Sequence, residues 1–338
     1  MITELFGMAS GLAEGVVAAA VPPACRRPLD RPSSIAADGA DVVVESPVWR
    51  PRAGGRHLVP SLSVLAPASH RLRLEVSVRD GTAWSPWIAT ASFGGGAFAP
   101  MGDACAALRC DVDVFTAATP VEAVRVRVRL SRAEAPAILD APWLLALSAC
   151  DLEGGVVESE AGPPARLPVP ALSQMTAAPE IARRICSPTS VAMTLAYWGP
   201  RVEPEALAAE MKHEALDMYG IWPAAVAAAG RRGVLGYLLR FPDWAAAAWC
   251  LERGVPVIAS IAYTAGELAG APVEETTGHL VVLTGCEGRD VLVNDPAAAT
   301  AADVPRRYRR DEFVRVWLER TGVGYVLFSP TGTPAAPS

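Results

Sequence analysis

The stretch ICSPTSVAMTLAYWGP, residues 185–200, constrains this chain more than any other. It carries no charge as far as Gly199. Val191, Thr194, Leu195 and Trp198 recur at helical spacing, and Met193 and Tyr197 fill the flanking face. A helix apolar nearly all round has to be buried. Pro188 falls in the first turn, where the backbone amides have no intrahelical partner, and Gly199-Pro200 ends the run. Cys186 therefore stands at the N-terminus of a buried central helix. There the positive dipole end and free amides favour a thiolate, the form in which sulfur is a nucleophile.

Upstream the period is two. In RLRLEVSVRD, Leu72, Leu74, Val76 and Val78 alternate with charged or polar residues, and in VEAVRVRVRL, Val124, Val126, Val128 and Leu130 alternate with arginines. Such alternation predicts strands with one face buried and the other in water. With turn signals such as Asp80-Gly81 and no convincing helix, residues 41–150 are expected to form an all-β antiparallel sandwich closed by WLLALSAC (143–150). Residues 1–40, rich in alanine and proline, read as a leader or loosely packed arm, and 151–166 as a linker. Beyond the linker, residues 203–216, 243–254 and 310–320 read as helices and 255–263 and 323–329 as strands, with a hairpin of 279–286 and 290–296 around Glu287-Gly288-Arg289. Residues 167–330 are thus an α+β domain, followed by a flexible tail, 331–338.

Composition narrows the chemistry. A net charge of −6 gives no reason to expect nucleic acid or an anionic membrane as partner. No run of ~20 residues is both uncharged and apolar throughout, as a bilayer span requires. Seven scattered cysteines form no disulfide framework, and four histidines (His57, His70, His213, His279) show no zinc-ligand spacing, so neither metal nor organic cofactor is expected. The N-terminus lacks a basic region and is interrupted by Glu4 and Glu14, which speaks against a secretory signal. The default expectation is a cytoplasmic protein, with secretion the alternative. Trp84 and Trp87 are expected to pack on the sandwich edge, with stacking on a carbohydrate, or contact with a protein ligand, as the alternative.

A cysteine nucleophile needs a base and a group that orients the base. His279 opens a strong strand and follows Gly278, which leaves room beside it. Asp295 returns on the neighbouring strand, ~4.8 Å away across a hairpin, within a few residues of His279 in register. Asn294 points to the opposite face, so only one of the two can orient the base, and Asp295 is the choice. Gln174, twelve residues before Cys186, is the candidate side-chain donor to an oxyanion beside the Cys186 amide.

Gln174, then CSPTSVAMTLAYWG, GHLVVLTG and VNDPA, together with YGIWP (219–223) and GVPVIASIAY (254–263), resembles the papain-like cysteine peptidases of family 39, the bacteriocin-processing or double-glycine leader peptidase family. The likeness is nearest to its stand-alone relatives and spans about 165–330. It implies a papain-like fold, thiol-peptidase activity on a peptide or protein substrate, and a Gln174–Cys186–His279–Asp295 set. Trp222 is then a candidate wall of the cleft, with core packing the alternative. The same apparatus would serve a thioester-forming amidase or acyltransferase. A non-catalytic binding protein acting through the sandwich is the third reading.

Overall fold

Three β-sheets organise the chain, and the computed structural model describes residues 3–52, 54–94, 96, 98–153 and 162–332. The first sheet contains β1 (Glu4–Ser10), β2 (Leu29–Asp30), β5 (His57–Val64), β9 (Leu108–Asp111), β10 (Val114–Ala117) and β12 (Trp143–Cys150). Their order is β2-β1-β12-β5-β10-β9, antiparallel except for β1 with β2. The second contains β3 (Ser34–Asp38), β4 (Asp41–Glu45), β6 (Leu72–Asp80), β7 (Ala83–Trp84), β8 (Ile88–Ala89) and β11 (Val124–Ser131). It runs β3-β4-β11-β6-β7, with β8 also paired to β6.

The third sheet belongs to the C-terminal half: β13 (Ala165–Arg166), β14 (Leu235–Arg240), β15 (Val257–Tyr263), β16 (Thr276–Glu287), β17 (Asp290–Asn294), β18 (Pro305–Arg309) and β19 (Val323–Phe328). The order is β14-β19-β15-β16-β17-β18, with β13 laid against β16. Two short helices, α1 (Glu14–Ala18) and α2 (Ala135–Leu139), lie in the N-terminal half. The C-terminal half carries α3 (Cys186–Trp198), α4 (Pro204–Met211), α5 (Trp222–Gly230), α6 (Trp244–Glu252) and α7 (Arg310–Trp317). The chain is thus a mixed α/β protein. No described helix is long and apolar enough to cross a membrane.

The inner faces of the first two sheets share one core, in which Phe6, Leu62, Phe115 and Leu145 meet Val44, Leu74, Val76 and Val126. The other face of the first sheet is also covered. Leu5, Val59, Leu144 and Ala146 join the C-terminal core with Val226 and Ala229 of α5 and Leu238 of β14. This explains why WLLALSAC is apolar without interruption: a strand buried on both faces loses the alternation. Two serines on that face serve the neighbour, since Ser61 Oγ accepts from the Leu238 amide (3.2 Å) and Ser148 Oγ from the Arg240 amide (3.3 Å). The outer edge of β14, with its unpaired amides, is thereby satisfied. The contact is close enough that a Cβ at Gly230, the last residue of α5, would lie 2.7 Å from the Val64 carbonyl oxygen.

The structure departs from several expectations. The segment read as a loose N-terminal arm supplies β1, an interior strand with Leu5, Phe6 and Met8 buried, while Val17, Ala20 and Cys25 enter the C-terminal core. The charged face of β6 and β11 is not in water either. Glu75 is fully buried and accepts from Arg73 (3.0 and 2.8 Å), from Arg127 and from Arg129 (2.8 Å). Arg73 also donates to Ala99 O, and the Trp87 ring lies 4.1 Å from the Arg127 guanidinium carbon. Trp84 and Trp87 both stack on Arg125, at 4.3 and 5.0 Å. Helix α2 falls where no helix was expected. The expected linker ends in β13, and its residues 154–161 lie outside the described residues, as do 333–338 of the expected tail.

Candidate active site

Helix α3 starts on Cys186 and has no side-chain cap, so its first amides are free to serve the sulfur. All but two of its residues are buried, and their polar groups are satisfied locally: Thr189 Oγ1 donates to Ile185 O (2.8 Å) and Thr194 Oγ1 to Ser190 O (3.0 Å). Ser190 Oγ donates to Leu280 O at 3.0 Å, and Trp198 Nε1 to Leu327 O at 2.8 Å. These bonds fix the helix to β16 at one end and β19 at the other. Ser187, the residue after the thiol, is buried and hydrogen-bonded to the Tyr325 hydroxyl at 3.2 Å.

β16 brings His279, 5 % exposed, against Cys186. Its Nε2 donates to Asp295 Oδ1 at 2.8 Å, which leaves Nδ1 for the sulfur. Asp295 has no exposed surface. Its Oδ1 also accepts from the Ala297 amide (3.0 Å), and its Oδ2 from the Tyr308 hydroxyl (2.9 Å). Every lone-pair direction that matters is therefore held by a donor.

The charges follow from this geometry. Burial would push the Cys186 thiol up, but the His279 hydrogen bond and charge, with the Leu280 and Ser187 amides, bring it below its ordinary value. Burial would lower His279, but the Asp295 charge and hydrogen bond, aided by Cys186, raise it to about 10. Burial would likewise raise Asp295, but the His279 charge and hydrogen bond, then Ala297 and Tyr308, hold it down. The three shifts point the same way, each favouring the charged form: thiolate, imidazolium and carboxylate.

Gln174 opens a short 3-10 turn (Gln174–Thr176) and is 3 % exposed. Its Nε2 donates to Ala182 O at 2.7 Å, its backbone amide donates to Pro296 O at 2.9 Å, and its Oε1 is buried without a partner among the described residues. Asn294 does turn away from His279. It donates to Val169 O (3.1 Å) and Pro170 O (3.2 Å), and so ties the approach to Gln174 onto the end of β17, next to Asp295. The structure brings Cys186, His279 and Asp295 into one chain of contacts, with Gln174 bonded to the segments on either side. Trp222 and Gly278 make no bond to that chain. Trp222 opens α5, half-buried, with its amide donating to Asp113 Oδ2 at 2.8 Å, and Gly278 is exposed beside His279 with open space where a Cβ would stand.

Sequence reasoning missed Tyr308, Ser187 with Tyr325, and Asp113. For Tyr308 a signal existed, since it is the one uncharged residue in RRYRR (306–310) and alternation turns it inward. A separate cavity of about 730 Å³ lies between the halves, walled by His70, Arg73, Phe98, Asp111, Lys212 and Arg231, and touches none of the residues around Cys186.

Residues 166–325 match the Peptidase_C39 like family. Among solved structures, a crystal structure of a candidate C39-like peptidase from Bacillus anthracis is similar at 18% identity and a TM-score of 0.39, covering 50% of this chain and 98% of that one. No curated protein matches the chain. The matched segment contains Gln174, Cys186, His279, Asp295 and Tyr308, so the part of the chain that carries the site is similar to the C39-like peptidase family.

Proposed function

We propose that the C-terminal half is a papain-like cysteine peptidase, with Cys186 as nucleophile, His279 as acid and base, and Asp295 as the group that orients the imidazole. One observation carries this: a thiol at a helix start is bonded to an imidazole whose other nitrogen is held by a fully buried carboxylate. The Cys186 thiolate adds to a peptide carbonyl, and the electron pair of the C=O bond moves to oxygen. The Cys186 amide and the second hydrogen of Gln174 Nε2 receive that oxyanion, an interaction whose loss typically costs ~10²–10³ in rate. As the tetrahedral adduct collapses, His279 gives its proton to the departing amine and a thioester remains. His279, now neutral, takes a proton from water, the hydroxide attacks the thioester, and the acid product leaves with the thiolate restored.

The domain boundaries follow from the same reading. The two sheets of residues 3–150 form a β-sandwich, and 162–330 form the peptidase unit. The decisive experiment treats the wild type and Cys186→Ala in parallel with a thiol-directed peptide electrophile and a peptide library. Labelling and cleavage should both vanish in the variant. Equal labelling of the two proteins would rule the assignment out.

A further inference from the structure

The hairpin turn between β9 and β10 joins the N-terminal half to helix α5. Asp111 pairs with Val114, so Val112 and Asp113 are a two-residue turn. Val112 sits at φ 57°, a left-handed conformation costly for a β-branched residue at a place glycine usually takes. Such a conformation persists where the surroundings over-determine it. What determines it here is Asp113, 8 % exposed, whose Oδ2 accepts from the Trp222 amide at 2.8 Å. Trp222 is the first residue of α5, and the preceding Ile221 has no side chain able to cap. The cap is supplied from 109 residues earlier in the chain.

Two further observations tie this turn to the cysteine site. Ile221 is buried in the core between the first two sheets, while Val226 and Ala229 of the same helix pack in the core that holds Val191 and Leu195 of α3. The Tyr325 hydroxyl, bonded to Ser187, feels the charges of both Asp113 and Cys186. Burial pushes the Asp113 carboxyl up to about 7, opposed by the Trp222 amide and assisted by Asp111. The groups facing it are Asp111 and Cys110 from its own hairpin, the Trp222 amide of α5 and Tyr325 of β19.

Resting on the thiol-peptidase reading above, we propose that Asp113 is a positioning residue of the peptidase: the N-terminal unit, through this carboxylate, holds the first turn of α5 against the core that carries α3 and Tyr325. The two-sheet unit is then part of the enzyme and not an appended module. The test uses the full chain as wild type, Asp113→Ala and Asp113→Asn, with kcat and KM on a peptide found by library cleavage and the rate of Cys186 alkylation by iodoacetamide. Asp113→Ala should raise KM several-fold as the first turn of α5 loses its anchor, while the small alkylating agent reacts at the wild-type rate. Asp113→Asn, which keeps the acceptor, should rescue KM. If Asp113→Ala does not fold, the Asn variant decides: wild-type KM should fall about threefold as pH rises through 7, because the charged acceptor bonds more strongly, and the Asn variant should lose that change. Wild-type kinetics in Asp113→Ala, or the same pH profile in the Asn variant, would overturn the proposal alone. A wild type without Cys186-dependent cleavage would sink the peptidase reading and this proposal with it.

Discussion

Two carboxylates, Glu75 and Asp295, are both fully buried and both held below the ordinary carboxylate range, yet they do different work. Glu75 is enclosed by Arg73, Arg127 and Arg129, with Asp38 and Asp41 sharing the Arg129 guanidinium. Its partners are cations at every accessible pH. Asp295 faces an imidazole, a tyrosine hydroxyl and one amide. Its only cation among the described residues is titratable, and in the proposed mechanism that proton passes between His279 and Cys186. On that reading permanent partners make a clamp, and a titratable partner makes a relay. The local counter-charge, more than the burial, separates the two.

The sharpest way to break the comparison is to neutralise each carboxylate in turn. Asp295→Asn should lower kcat/KM by a factor on the order of 10³–10⁴, as loss of the orienting aspartate does in triads generally, with a smaller loss of stability than at Glu75 because the imidazole can shed its proton. Survival of activity in steady-state peptide cleavage would erase the distinction. Glu75→Gln should do the reverse, costing about 3–5 kcal/mol of stability because three guanidinium groups lose their shared anion, with kcat unchanged wherever the variant is folded. Chemical denaturation reads it. Because the folded pKa of Glu75 is depressed, its contribution is complete above the unfolded value of 4.5 and is lost as pH falls below that value and through the folded one. The acid limb of unfolding should therefore flatten in the Gln variant.

The relay can be sharpened through the sulfur. With its pKa lowered by His279, Cys186 should alkylate faster at neutral pH than an ordinary thiol, and slow as pH drops through the depressed value. In His279→Ala that support is gone, and the rate at pH 7 should fall on the order of a hundredfold as the thiol returns to its ordinary range. Iodoacetamide kinetics across pH 4–10 measure both. The smallest effect belongs to Tyr308→Phe, which removes one donor from Asp295. About 1 kcal/mol, a roughly fivefold fall in kcat, is expected, together with an acid limb moved to higher pH as the Asp295 carboxylate loses support. An unmoved pH profile would make Tyr308 a packing residue only.

Much of this could be read beforehand where one local rule acted alone. Helix α3 was legible because an apolar run bounded by proline and glycine has few alternatives. The meeting of His279 and Asp295 was legible because a hairpin turn at Gly288 forces distant residues side by side. The β1 strand was not, because LFGMAS carries no alternation when both faces are covered. The burial of Glu75 was misread for a similar reason: an alternating charged strand face looks solvated until a neighbouring loop and two tryptophans lie on it. Alternation turns Tyr308 inward but does not say that it meets Asp295, 13 residues away, and no period in the sequence brings Asp113 to Trp222 across 109 residues.

The sequence alone determined the elements that carry the site and the candidate chemistry on them: a thiol placed at a helix tip, an imidazole on a strand, a carboxylate where the next strand returns. These follow from backbone geometry and side-chain periodicity, which act over a few residues. Tertiary structure alone decided which charges left water and what they met there. Burial turns an exposed carboxylate into a clamp or a relay according to the groups packed around it, and that company is gathered from opposite ends of the chain.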